Sequence, residues 1–157
     1  MSILIPGTTR CPICNLEIES ENEAYSFPAF VINVNDPLYG FSDASFHLRC
    51  LENTKGGGIA VKYANLFMES IKPLNRVCII GGNLITKYEN HIFIDYLTSD
   101  VNEYLHKMNF AHIDKMNLPY WKDREEFILK LVNLKERGEW KDVGVNKYLD
   151  KLICQLS

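Results

Sequence analysis

A chain of 157 residues that is 46% hydrophobic and carries a formal charge of −3 has the core content of one globular domain, or of two small ones. It is too apolar to stay disordered, and too acidic for broad binding to a phosphate backbone, which needs a basic face. No run reaches the roughly 18 apolar residues of a membrane span. The start, Met1-Ser2-Ile3-Leu4-Ile5-Pro6-Gly7, has neither the basic region nor the long apolar region of a signal peptide. A cytoplasmic protein without a membrane segment is expected, and five cysteines, an odd number, agree with a reducing compartment.

Cys11-Pro12-Ile13-Cys14 is the first stretch with chemical meaning, and its counterpart is His47-Leu48-Arg49-Cys50. C-x2-C followed by H-x2-C gives four soft ligands in two close pairs. That is the donor set of a structural zinc site. Two pairs fill all four corners of a tetrahedron, so the ion is expected to hold the fold and to leave no position for a substrate. One structural zinc per chain, on Cys11, Cys14, His47 and Cys50, is the cofactor expectation. A redox C-x-x-C would need an apolar strand before it and a helix after it. Here Thr8-Thr9-Arg10 precedes the motif, and Asn15-Leu16-Glu17-Ile18-Glu19 follows with strand-like alternation.

Glu17, Glu19, Glu21 and Glu23 surround a turn expected at 20–23 and read as a solvated edge. The aromatic and β-branched run 24–34 predicts a strand, with Pro28 bending it or confining it to an edge. After the turn at Asn35-Asp36-Pro37, Ser42 or Asp43 is placed to cap a helix over about 44–52, with His47 and Cys50 on one face of its first turns. Lys55-Gly56-Gly57-Gly58 lacks the Gly-Lys-Ser/Thr of a phosphate loop and reads as a flexible joint. A helix is predicted over 59–71, its apolar side formed by Tyr63, Phe67 and Ile71 with Ala60 and Leu66 beside them.

A second block starts at Arg76. Val77-Cys78-Ile79-Ile80 predicts a buried strand, Gly81-Gly82-Asn83 a turn, and Leu84-Ile85 and His91–Leu97 further strand. A helix is expected from Ser99-Asp100, with Val101, Tyr104, Leu105 and Met108 inward. A shift of 67 positions lays this block on the first without gaps: Cys11 falls on Cys78, Ile13 on Ile80, Ile18 on Ile85, Leu38 on Leu105, Ala44 on Ala111 and Leu51 on Leu118. Three of the ligands change, since Cys14 becomes Gly81, His47 becomes Asp114 and Cys50 becomes Asn117. A degenerate, metal-free second copy of the first block is therefore an expectation. In the last quarter Asp123 and Glu126 suggest a capping box. Phe127, Leu131 and Leu134 form a helix face with Ile128 and Val132, Gly138 is placed to end that helix, and a final helix turns Val145, Leu149, Leu152, Ile153 and Leu156 to one side. Cys78 and Cys154 are expected to be buried spare thiols.

Turn with two cysteines, hairpin, then a helix carrying the last ligand pair is the order of a treble-clef zinc finger, and residues 11–52 resemble that superfamily. The resemblance implies a fold element and not an activity. The expected fold class is α+β: a treble-clef-like zinc unit at 1–55, a linking helix and second α+β unit at 59–118, and C-terminal helices at 119–157, all in one compact domain.

No nucleophile, base or open metal position stands out, so no enzyme is expected. An HNH-type nuclease, which also uses a treble clef, would need a catalytic histidine on the strand after the cysteine turn. Asn90-His91, the sole Asn-His pair, lies in the second block. A protein-binding module is the leading reading, from the acidic balance, the closed zinc site, the aromatics Tyr25, Phe27, Phe30, Tyr39, Phe41 and Phe46, and Tyr120-Trp121. In size, charge and architecture the chain resembles small bacterial immunity proteins, and that resemblance implies a cognate toxin domain as partner. Nucleic-acid binding is the alternative. It would rest on Arg10, Arg49, Lys55 and Lys62, set among four glutamates.

Overall fold

A computed structural model describes residues 3–145 and 147–157; Met1 and Ser2 of the lead-in lie outside the described residues, as does Asn146. The fold is α+β, built from short antiparallel strand pairs and helices. The chain packs as two units, one of residues up to Phe30 with Leu38–Met68, the other of Val31–Pro37 with Glu69–Ser157.

In the first unit β1 (Ala24–Ser26) pairs antiparallel with β2 (Ser45–His47), Tyr25 opposite Phe46. The strand expected over 24–34 is only three residues long. Phe27 N–H still donates to the Ala44 carbonyl at 2.9 Å, but Pro28 has no N–H to continue the ladder. The helix expected over 44–52 is likewise corrected: Ser45–His47 is strand, and α1 is only Leu48–Glu52. Local capping chemistry lost to long-range pairing, because Phe46 faces Phe27 and the Ser45 hydroxyl lies 2.7 Å from that of Ser26 across the strands. Asp43, one of the two cap candidates, instead turns the chain into β2 with a left-handed φ of 55°.

Phe27 is the hub of the first core. It is fully buried, with the rings of Tyr25, Phe30, Phe41 and Phe46 at 4.7, 5.8, 5.8 and 5.6 Å. Of the six aromatics that could have formed a binding face, Phe27, Phe30, Phe41 and Phe46 are thus core. Helix α2 (Gly57–Ser70) starts two residues earlier than expected. Gly57 belongs to it, and a Cβ there would come within 2.2 Å of the Leu51 carbonyl oxygen, so this glycine serves close packing and not a flexible joint. The buried face is Ala60, Tyr63 and Ala64; Leu66 is exposed, and Ile71 lies exposed beyond the helix end.

In the second unit the run 77–80 is not a buried strand. Val77 and Ile79 are exposed and Cys78 alone is buried, because the segment forms a turn closed by a bridge from Val77 to Leu84. Strands β3 (His91–Phe93) and β4 (His112–Asp114) pair antiparallel, Ile92 opposite Ile113. The helix expected from residue 99 is reduced to a 3-10 turn over Tyr104–Met108, which buries Leu105 and Met108 and leaves Val101 exposed. Helices α3 (Arg124–Glu136) and α4 (Tyr148–Leu156) close the core with Phe127, Leu131, Leu134, Leu149, Leu152 and Leu156. Val145 precedes α4 and is fully exposed, and Cys154 is on its exposed side, against expectation.

Asp123 stands at the start of α3 but makes no side-chain cap bond, since its backbone (φ −92°, ψ 11°) is not the extended conformation of a cap. Gly138 ends the helix as expected: its N–H bonds the Lys135 carbonyl at 3.0 Å, and Glu139 N–H bonds Leu134 at 3.1 Å, a Schellman closure with φ +71° at the glycine. Gly138→Ala should lower stability by about 1 kcal/mol through this left-handed conformation. Urea unfolding at fixed pH measures it, and an unchanged midpoint would contradict the assignment.

The two units share one backbone pattern at the constant offset of 67. Cys11 N–H bonds the Leu16 carbonyl and Asn15 N–H bonds Cys11; Cys78 N–H bonds Asn83 and Gly82 N–H bonds Cys78. Ile18 N–H bonds Thr9 as Ile85 N–H bonds Arg76, and Arg10 bridges Glu17 as Val77 bridges Leu84. A 3-10 turn precedes the first strand of each pair, at Glu21–Glu23 and Tyr88–Asn90. The pairing of Ala24 with His47 recurs as His91 with Asp114. Left-handed residues recur as well, Asn15 with Gly82 and Asp43 with Phe110.

Candidate metal centre

The turn after Arg10, β2 and α1 of the first unit carry the four predicted ligands. The turn after Arg10 closes through the Asn15-to-Cys11 bond, and left-handed Asn15 (φ 58°) lets the chain reverse directly after Cys14. Cys11 is fully buried at its start, while Cys14 is half-buried. His47 ends β2 opposite Ala24 and stands just before α1, and Cys50 lies within α1. The pair is thus split between strand and helix and does not share one helix face.

The His47 Nε2 lies 3.1 Å from the Glu17 carbonyl oxygen. A carbonyl only accepts, so this nitrogen carries the proton and Nδ1 keeps its lone pair. Nδ1 points at Cys14 Sγ, 3.3 Å away, with Cys50 Sγ at 4.0 Å. The ligand atoms of Cys11, Cys14, His47 and Cys50 all lie within 4.8 Å of one another. Zinc–sulfur and zinc–nitrogen bonds of about 2.3 and 2.0 Å place tetrahedral donors roughly 3.5–3.8 Å apart. The donor types and spacings therefore fit one zinc-like ion, and the four expected ligands form the metal-competent cluster among the described residues.

The electrostatics show what an ion would resolve. Burial raises the Cys11 thiol, but backbone N–H groups of Cys14, His47 and Ile13 outweigh it and bring the group down to about 6. Burial, and then the hydrogen bonds and charge of Cys14 and Cys11, push Cys50 up to about 11. Burial lowers the His47 imidazole, yet its contacts with Cys11, Cys14 and the Glu17 carbonyl raise it overall. Crowded thiols cannot all ionise unaided; a divalent cation among them reverses that order and holds every thiol as thiolate.

Beside the centre lies a groove of about 490 Å³, lined by Leu16 and Leu48, by the polar Asn22, Glu23 and Arg49, and by Cys14, His47 and Cys50 themselves. Sequence reading did not find this groove, because its leucines follow no helical or strand period. Arg10, one of the basic residues needed for a nucleic-acid face, is paired with Glu17 at 2.7 Å.

A further titratable cluster lies in the second unit and was not foreseen. His91 and His112 are diagonal neighbours across β3 and β4, and His91 Nε2 lies 2.8 Å from His112 Nδ1. Nε2 of His112 donates to the Ser70 carbonyl at 3.0 Å, so its Nδ1 accepts from His91. Burial first, then the charges of His91 and Arg76, bring His112 down to about 4. A base whose pKa is depressed on folding stabilises the fold fully above its unfolded value near 6.5, and that contribution fades as pH falls towards about 4. Asp95, raised to about 6 by burial, acts in the opposite sense over an overlapping range. His112→Gln should therefore flatten the acid side of the stability profile relative to the parent chain. Denaturant midpoints between pH 7.5 and 4.5 measure it, and parallel profiles would show that His112 does not titrate as described.

Cys11, Cys14, His47 and Cys50 thus give the chain a Cys3His cluster that could hold a metal ion, on an α+β scaffold. Comparison with protein-family models, with curated proteins and with solved structures finds no match for the chain. No described helix is long and apolar enough to cross a membrane.

Proposed function

We propose that the chain is a non-enzymatic protein-binding module, cytoplasmic in location, whose first unit is a treble-clef zinc unit and whose second is its metal-free counterpart. One observation carries this reading: three sulfurs and one imidazole nitrogen lie within 4.8 Å of each other, enough donors for a complete tetrahedral shell around zinc. A zinc ion so held has no exchangeable position for water or substrate, which is what an HNH-type nuclease or a metallohydrolase requires. Its contribution is to tie the turn, β2 and α1 together. That role supports binding by the surface so held, and the groove lined by Leu16 and Leu48 beside the ligands is the surface we assign. The resemblance to small immunity proteins extends the reading to a toxin domain as the partner.

Pull-down of the tagged full chain from its native cell, with and without nuclease, tests this together with metal analysis. One stoichiometric protein, retained after nuclease and lost with Leu48→Asp, supports the module. A toxin domain in that position supports the immunity reading. Partners that vanish with nuclease, and an affinity falling steeply with salt, would replace it by nucleic-acid binding. A chain without zinc would remove the basis of the proposal.

A further inference from the structure

We infer that the second unit holds a converted metal site, in which the side-chain amide of Asn117 takes over the cross-linking role of the ion, and that three substitutions turn it back into a zinc site. The inference rests on the duplication proposed above. At the offset of 67 the positions of Cys11, Cys14, His47 and Cys50 are held by Cys78, Gly81, Asp114 and Asn117. Cys78 is buried as Cys11 is. Its sulfur accepts from Asp114 N–H at 3.3 Å and from Asn117 Nδ2 at 3.3 Å. The same Nδ2 donates its other proton to Asn83 Oδ1 at 2.8 Å, and Asn83 Nδ2 donates to Asp114 Oδ2 at 3.1 Å. The chain Cys78–Asn117–Asn83–Asp114 therefore joins the turn 78–83 to the end of β4 and the 3-10 helix Lys115–Tyr120. These are the counterparts of the elements that zinc would join in the first unit.

Gly81 shows that this is a substitution of one cross-link for another and not simple decay. Its φ is not left-handed, so its backbone does not call for glycine. A Cβ there would instead lie 2.3 Å from Asn117 Nδ2 and 2.6 Å from Asn83 Oδ1. The Asn117 and Asn83 amides occupy the space that a cysteine's Cβ at this position needs, so residue 81 can carry a side chain only when residue 117 is shortened and the Asn83 side chain, released from it, moves aside. Asp114 has been reassigned too. Its Oδ1 accepts from Met116 N–H at 3.1 Å as a helix cap, whereas His47 makes no cap bond.

Two experiments on the full chain decide the matter. In the first, Gly81→Ala is expected to lower the thermal midpoint by several degrees in the parent chain and by little in an Asn117→Ala background. Equal losses in both backgrounds would overturn the inference. In the second, the triple variant Gly81→Cys, Asp114→His, Asn117→Cys is expected to bind one more equivalent of zinc than the parent, with cobalt giving a doubled tetrahedral absorption. A folded triple variant that binds no more metal than the parent would overturn it. A triple variant that fails to fold leaves the decision to the alanine pair. The parent's own stoichiometry separates the failures: no zinc in the parent defeats the proposed zinc unit, while one zinc in both parent and triple variant defeats this inference alone.

Discussion

Cys14→Ser and Cys50→Ser are each expected to abolish stoichiometric zinc and to unfold the first unit at neutral pH. The magnitude follows from what the ion has to hold. In that unit the strands have three residues each and α1 has five, too few for the local structure to persist by itself. Structural zinc contributes on the order of 10–16 kcal/mol in small metal-folded units, against roughly 5–15 kcal/mol for the whole stability of a typical domain. A serine hydroxyl neither ionises at pH 7 nor matches the soft metal, and the remaining three donors hold it far more weakly. Near-UV circular dichroism and metal analysis of each variant measure the outcome, with chelation and zinc return as the reversible equivalent. Cys154→Ser, on the exposed side of α4, should change stability by less than about 0.5 kcal/mol. A Cys14→Ser chain that keeps its tertiary signal with no metal bound would show that the four side chains are merely neighbours.

Phe27→Ala carries the second large effect. The side chain is fully buried and its ring meets four others, the nearest at 4.7 Å, so truncation loses the transfer energy and leaves a cavity among rigid rings. A loss of about 3–5 kcal/mol is expected, measured as a shift of the urea midpoint with zinc present. Phe46 contacts Phe27 and directly precedes His47, so zinc affinity should fall in the same variant, since binding and folding of such a unit are one equilibrium. Tyr25→Ala, at a half-buried edge with its hydroxyl donating to Asn65 at 3.2 Å, should cost clearly less. If Phe27→Ala moved the midpoint by less than Tyr25→Ala, the core would not be centred where the rings place it.

Much of the candidate site was legible because soft ligands advertise themselves. Cys11, Cys14, His47 and Cys50 need no tertiary information to be grouped: residue type and a spacing of two between partners already select a tetrahedral metal. Asn15 is left-handed at φ 58°, a conformation that its short polar side chain tolerates. What spacing could not tell is the backbone beneath the second pair. Ser42 and Asp43 are good local cap residues, yet Ser45–His47 is strand, because Phe46 gains more from the ring cluster around Phe27 than the segment gains from an earlier helix start. Likewise Val77 and Ile79 have the composition of a buried strand and are exposed in a turn, since β-propensity describes what fits a covered pleated surface and the turn buries only Cys78 between them.

By itself the sequence determined the α+β class, the four candidate metal donors and the inward faces of α3 and α4, where Phe127, Leu131 and Leu134, and then Leu149, Leu152 and Leu156, recur at the period of a helix. Each of these is set by chemistry or periodicity within a short stretch of chain. Tertiary structure alone decided the register of the strand pairs, the His91–His112 contact, the groove at Leu16 and Leu48, and the meeting of Asn117 with Cys78. Those depend on which distant segments come together. That choice is made by the summed packing of both partners, which no local window of residues contains.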